Sequence, residues 1–107
     1  ALGTPQIPVD MPTFDEVVGP DLPAADWNSY LLKRFRPGAL NVYTLHAEVE
    51  GIAFANDFRA LLNAAREQEI HFIPMGDRLP EDPHRLPEGK VVRGSLAGRQ
   101  GWLGVQQ

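Results

Sequence analysis

No cysteine occurs in the 107 residues of this chain. That excludes a disulfide framework, a thiolate nucleophile and any cysteine-based zinc or iron–sulfur site, and it fits a cytosolic protein. Positive charge is scarce as well. Ten Lys and Arg stand against fourteen Asp and Glu, a net charge of −4, so nucleic acid finds no electrostatic footprint here. No apolar run is long enough to cross a bilayer, and no basic segment followed by an apolar stretch opens the chain. A phosphate-binding glycine loop that follows a strand and opens a helix is absent, as is a serine nucleophile elbow. The three histidines, His46, His71 and His84, lack the i, i+4 spacing of a helical zinc-protease pair.

What remains is an ordinary globular composition, 43% hydrophobic and 22% charged, with room for one small domain. Ten Gly and ten Pro gather toward the two ends, and no internal repeat is visible. Residues 1–20 carry four prolines and read as an irregular lead-in. Pro8 makes the stretch 6–9 an edge strand or no strand, and 13–18 can be extended. A helix is expected to follow, with Asp21 or a neighbour as cap and Pro23 in its first turn. Trp27, Tyr30, Leu31 and Phe35 form its buried face, and Pro37-Gly38 stops it. Lys33, Arg34 and Arg36 fall in its last turn, where cations match the dipole; contact with a phosphate is the alternative.

Val42 to Leu45 reads as a short buried strand ending at His46. Strand alternation places Thr44, His46 and Glu48 on one side. Asn56 caps a second helix with Phe58, Leu61, Leu62 and Ala65 inward, and Ile70–Pro74 reads as a second strand. The middle is therefore an α/β pattern, and connections this short imply a right-handed crossover with parallel pairing. Parallel sheets need both faces covered, so this pattern is expected to be a slice of a larger α/β structure. Residues 78–90 read as loop, 91–94 as a short strand. The Gly-rich tail keeps Leu96, Trp102 and Leu103, so it is expected to dock rather than stay free.

His46 is the residue most suited to chemistry. An apolar strand that ends in a histidine, an acid and a glycine is odd for packing, and parallel sheets deliver catalytic groups at that edge. The bland alternative is a strand-end histidine with a satisfied hydrogen bond. A nearby carboxylate such as Glu48 favours the protonated imidazole. His71 reads as structural and His84 as exposed. A metal site built from this chain alone needs His46 and Glu48 joined by His71 or another acid.

Several stretches together resemble one bacterial family. They are Gln6-Ile7-Pro8-Val9, Asp15-Glu16-Val17, Trp27 to Arg34, Val42-Tyr43-Thr44-Leu45-His46-Ala47-Glu48-Val49-Glu50-Gly51, Val92-Arg93-Gly94, and Ala97-Gly98-Arg99-Gln100-Gly101-Trp102-Leu103-Gly104. The family is the deformylases of 4-deoxy-4-formamido-L-arabinose-phosphoundecaprenol, which act in lipid A modification and polymyxin resistance and belong to the NodB-type polysaccharide deacetylases. The resemblance implies that residues 1–107 are the C-terminal portion of a single domain, a distorted (β/α) barrel, with 78–107 as loop and tail. It implies a hydrolase dependent on a divalent metal. The family's metal-binding aspartate, its His-x-x-x-His pair and its catalytic-base aspartate lie further N-terminal, so no metal ligand is expected in this chain. Of the catalytic set, only Leu45-His46 matches a family motif, the late Leu-His, whose histidine serves as general acid.

Further expectations follow from that resemblance. Glu48 orients His46 or binds substrate. Arg93 and Arg99 grip the lipid's phosphate, or else form tail-anchoring salt bridges. Trp102 and Leu103 either pack or touch the membrane surface. The partners implied are the lipid-linked amino sugar, the N-terminal part of the same enzyme and the inner membrane, approached from its cytoplasmic face. The chain alone is expected to be inactive. The other readings are a deacetylase of a different N-acylated sugar and a non-catalytic binding module.

Overall fold

The computed structural model describes residues 4–97 and 99–107; Gly98 of the tail lies outside them. The described residues form two compact units. One is Pro8–Phe72, and the other is Ile73–Gln107 with the described residues up to Ile7.

In the first unit, α1 (Phe14–Val17) replaces the extended stretch expected at 13–18. The reason is a cap: the Glu16 carboxylate reaches back to accept the Thr13 backbone N–H at 3.0 Å, which satisfies a donor at the helix start. The helix expected to run toward Phe35 is shorter. A 3₁₀ turn, Ala24–Asp26, leads into α2 (Trp27–Leu32). The Arg34 N–H turns back to the Leu31 carbonyl at 2.9 Å, tightening the end. Asn41 then takes up both backbone groups of Arg36, each at 2.9 Å, so that residue has no need of a helical partner. Gly38, at φ 72°, supplies the left-handed residue this turn requires. The three basic residues therefore follow α2 instead of ending it.

α3 (Ala55–Glu67) starts one residue ahead of the expected Asn56 cap. Leu61 and Ala65 are buried, while Leu62 turns outward. Its end is set by Glu69 at φ 59°. Ile70 N–H donates to the Ala65 carbonyl at 2.9 Å and Glu69 N–H to that of Arg66 at 3.0 Å, the paired bonds of a left-handed helix stop. The core of this unit is Met11, Trp27, Leu31 and Leu61. Burying each Leu side chain contributes about 1.5–3 kcal/mol. Phe14 meets the Trp27 ring edge-on, with centroids 5.6 Å apart.

The strands expected at 42–45 and 70–74 are not formed, and the described residues contain no parallel pair. Both stretches have strand-like composition, but a strand exists only beside another. Val42 finds one backbone partner, its carbonyl accepting the Met11 N–H at 3.2 Å. Its own N–H goes instead to the Asp10 carboxylate at 2.6 Å.

The second unit has a 3₁₀ turn at Met75–Arg78, leading into the loop expected at 78–90, and another at Pro83–Arg85 within it. The strand expected at 91–94 is present as β1 (Val91–Gly94). It pairs antiparallel with β2 (Leu103–Gln106), with Val92 opposite Val105 and Arg93 opposite Gly104. The observed architecture is thus helices with a two-stranded sheet. No helix among the described residues is long and apolar enough to cross a membrane.

Candidate functional site

The stretch leading to His46 is anchored before it reaches the histidine. Asp10 accepts the Val42 N–H with one carboxylate oxygen and pairs with Arg36 through the other, at 2.8 Å. Beyond Leu45 the backbone turns into a helix at Ala47 and continues as a π-helical turn, Val49–Ala53. His46 is the residue that opens this helix. Its carbonyl accepts the N–H groups of Val49, at 2.9 Å, and Glu50, at 3.0 Å. Wide turns of this kind recur at functional sites.

One side of that turn is held by a buried acid. Glu50 is 6% exposed, and its two oxygens are both engaged. One accepts the His46 backbone N–H at 2.8 Å, the other the Tyr43 hydroxyl at 2.5 Å. A buried carboxylate is tolerated when donors replace its water. Tyr43 shows the reciprocal effect. Burial pushes its hydroxyl well above the ordinary tyrosine range, the hydrogen bond and negative charge of Glu50 add to this, and the Trp27 side chain offsets part.

The imidazole itself points two ways. Nδ1 is covered and has no hydrogen-bond partner among the described residues, yet the side chain as a whole is 38% exposed. The exposure therefore belongs to the rest of the ring. The acidic oxygen opposite Nδ1 is Asp15 Oδ1 at 4.0 Å, just outside hydrogen-bond reach. Asp15 comes from α1, so the helix that replaced the expected extended stretch is what brings a carboxylate to this face. A histidine so placed can meet a ligand only through the part of its side chain that Nδ1 does not share.

The other expected site residues are distributed as follows. Glu48 is exposed, and its carboxylate does not reach His46. The helix start at Ala47 takes it off the strand alternation that was expected to align it with Thr44 and His46. The acid that touches the His46 turn is Glu50 instead. Lys33, Arg34 and Arg36 do not form a shared cluster of free cations: Arg34 lies 3.3 Å over the Tyr30 ring and Arg36 pairs with Asp10. Arg93 and Arg99 belong to the second unit. The Arg93 guanidinium stacks 4.3 Å over Trp102, and the Arg99 N–H donates to the Leu96 carbonyl at 3.1 Å. His71 and His84 are exposed. No three His, Asp or Glu side chains gather as a metal would require among the described residues.

Sequence reasoning passed over Glu50 and Asp15 as partners of His46. The signal for Glu50 was present: an acid four residues after a helix-opening residue can turn back to its N–H, one position beyond the usual capping box. It is legible only if His46 is taken as a helix start and not a strand end.

No family model matches the chain. It is 43% identical over 103 residues to a protein of Shewanella sediminis named "Probable 4-deoxy-4-formamido-L-arabinose-phosphoundecaprenol deformylase ArnD", covering 95% of this chain and 34% of that protein. It is 36% identical over 107 residues to the protein of the same name from Wigglesworthia glossinidia brevipalpis, covering 99% of this chain and 37% of the relative. The chain thus spans about a third of the length of the curated relatives it matches. With nearly every residue aligned to both, the chain is homologous to the C-terminal part of the ArnD proteins.

Proposed function

We propose that this chain takes part in the hydrolytic deformylation of a formamido-arabinose carried on undecaprenyl phosphate, and that His46 supplies its general acid. The reading draws its chemistry from the relatives' printed activity. The observation that carries it is the half-exposed His46 ring, with Nδ1 covered and the rest of the side chain presented. The complete enzyme on this reading is a distorted (β/α) barrel of the NodB type, in which residues 42–45 and 70–74 gain the neighbours that make them strands. It works at the cytoplasmic face of the inner membrane. Glu48, Arg93 and Arg99 are substrate-binding candidates within the same proposal, the two arginines toward the lipid's phosphate.

Hydrolysis adds water to the formyl carbon and breaks its bond to nitrogen, releasing formate and the sugar amine. The amine departs poorly from the tetrahedral intermediate unless it takes up a proton. An imidazolium held beside that nitrogen donates it and ends as neutral imidazole, a contribution of roughly 10²–10⁴-fold. With Nδ1 covered, the proton leaves from Nε2. Asp15 Oδ1, 4.0 Å from Nδ1, faces the covered nitrogen without hydrogen-bonding to it. A divalent metal belongs to the proposal. The described residues do not provide three ligands for one, so the His46 step is derived without it.

The test is His46→Ala in the full-length enzyme, assayed by formate release from the lipid-linked substrate. The expected loss in kcat is on the order of 10²–10⁴-fold, with metal content unchanged. Retained turnover removes His46 from the mechanism. The 107 residues alone are expected to release no formate with any added divalent metal.

A further inference from the structure

The buried acid beneath His46 has no part in the chemistry described so far. A helix start is satisfied by a surface Ser, Thr, Asp or Asn at little cost. Here the group that receives the opening N–H is instead a carboxylate at 6% exposure. Placing a charge there costs free energy unless every contact it makes is used.

The contacts show what the placement achieves. The N–H of His46 goes to Glu50, and its carbonyl is taken by the N–H groups of Val49 and Glu50. The peptide groups on both sides of the His46 Cα are therefore held, which leaves only side-chain rotation to place the ring. The other oxygen of Glu50 reaches the Tyr43 hydroxyl, and the Tyr43 ring lies 6.2 Å from that of buried Trp27. The carboxylate thus ties the turn bearing the imidazole to the aromatic core. The π-helical turn closes with the Phe54 N–H on the Val49 carbonyl at 2.7 Å, so Glu50 lies within the widened turn.

We propose that Glu50 is a positioning residue for His46: bridging the His46 N–H and the Tyr43 hydroxyl, it holds the imidazole where the departing nitrogen must meet it. The proposal rests on the reading of His46 as proton donor. Glu50 itself touches no substrate. Misplacing a catalytic group by about 1 Å costs on the order of 100-fold in rate, which sets the scale of what this grip protects.

The experiment uses the full-length enzyme and the lipid-linked formamido sugar, with His46→Ala, Glu50→Ala, Glu50→Gln, Tyr43→Phe and the double variant His46→Ala/Glu50→Ala. Glu50→Ala is expected to lower kcat by roughly 10- to 100-fold with KM unchanged. Glu50→Gln keeps an acceptor for the His46 N–H and a polar partner for Tyr43, and is expected to recover most of the loss. On the His46→Ala background, Glu50→Ala is expected to cost nothing further, because two residues that act through one group are not additive. A general structural role gives the opposite result, a full second loss in the double variant, and that overturns the proposal. So does an unchanged kcat in Glu50→Ala when His46→Ala is inactive. Turnover retained by His46→Ala overturns the reading of the donor and this proposal with it. If Glu50→Ala does not fold, Tyr43→Phe carries the same test. A kcat loss confined to the wild-type His46 background supports the positioning role, and an equal loss on both backgrounds refutes it.

Discussion

In residues 8–72, side chains hold other side chains. Leu31 and Leu61 are almost fully covered, three aromatic rings surround Trp27, and the residues around His46 are fixed by carboxylates from Asp10 and Glu50. In residues 73–107, no described residue is buried. The hairpin there relies on its backbone ladder and one arginine stacked on an indole, and Trp102 keeps 62% of its surface exposed. The contrast teaches where precision resides. A proton donor needs its position fixed within a fraction of an ångström, and that is available only where a core backs the turn. A short ladder can present cations but cannot lock them.

The sharpest way to break this contrast is to empty the core. Leu31→Ala removes a side chain with no exposed surface and is expected to destabilise residues 8–72 by about 2–5 kcal/mol, read by urea denaturation. A loss near that of an exposed hairpin position would erase the distinction. The hairpin has its own vulnerable point at Gly94. A Cβ there would come within 2.7 Å and 2.9 Å of the two Val105 methyl groups. Gly94→Ala is therefore expected to cost about 1–3 kcal/mol and to speed hydrogen exchange at the ladder amides of β1 and β2.

Removing the stack is a smaller perturbation. Trp102→Ala is expected to cost about 0.5–1 kcal/mol, with a change in the mobility of the Arg93 guanidinium visible by NMR. The titration of Tyr43 is felt only in alkaline solution. Its hydroxyl loses its proton less readily in the folded than in the unfolded state. The contribution is therefore complete below the ordinary tyrosine value of about 10 and declines as pH rises beyond it. Tyr43→Phe is expected to remove that alkaline decline, measured as stability against pH between neutral and strongly basic solution.

The same contrast explains which features the sequence disclosed. The apolar stripe of α3 and the strand at 91–94 are local patterns, and both are present as elements. The stretches 42–45 and 70–74 have equally good strand composition, but pairing is a property of neighbours, which no local pattern supplies. Asp15 was hidden by a secondary-structure error: an extended 13–18 would not have carried it toward His46 as α1 does. Glu50 was hidden by another, since reading the chain past His46 as a strand end made Glu48 look like the nearer acid. In both cases the expected backbone conformation concealed an acid that the folded chain brings to His46.

The central claim is that His46 hands a proton to the departing nitrogen, and the leaving group offers the most direct probe. An amide nitrogen cannot leave without that proton, whereas an ester oxygen departs far more readily without one. The measurement is kcat/KM for wild type and His46→Ala in the full-length enzyme, on the lipid-linked sugar bearing an N-formyl group and on its O-formyl counterpart. The account predicts a large defect on the amide that shrinks on the ester. An equal defect on both would show that His46 acts elsewhere than on the leaving group.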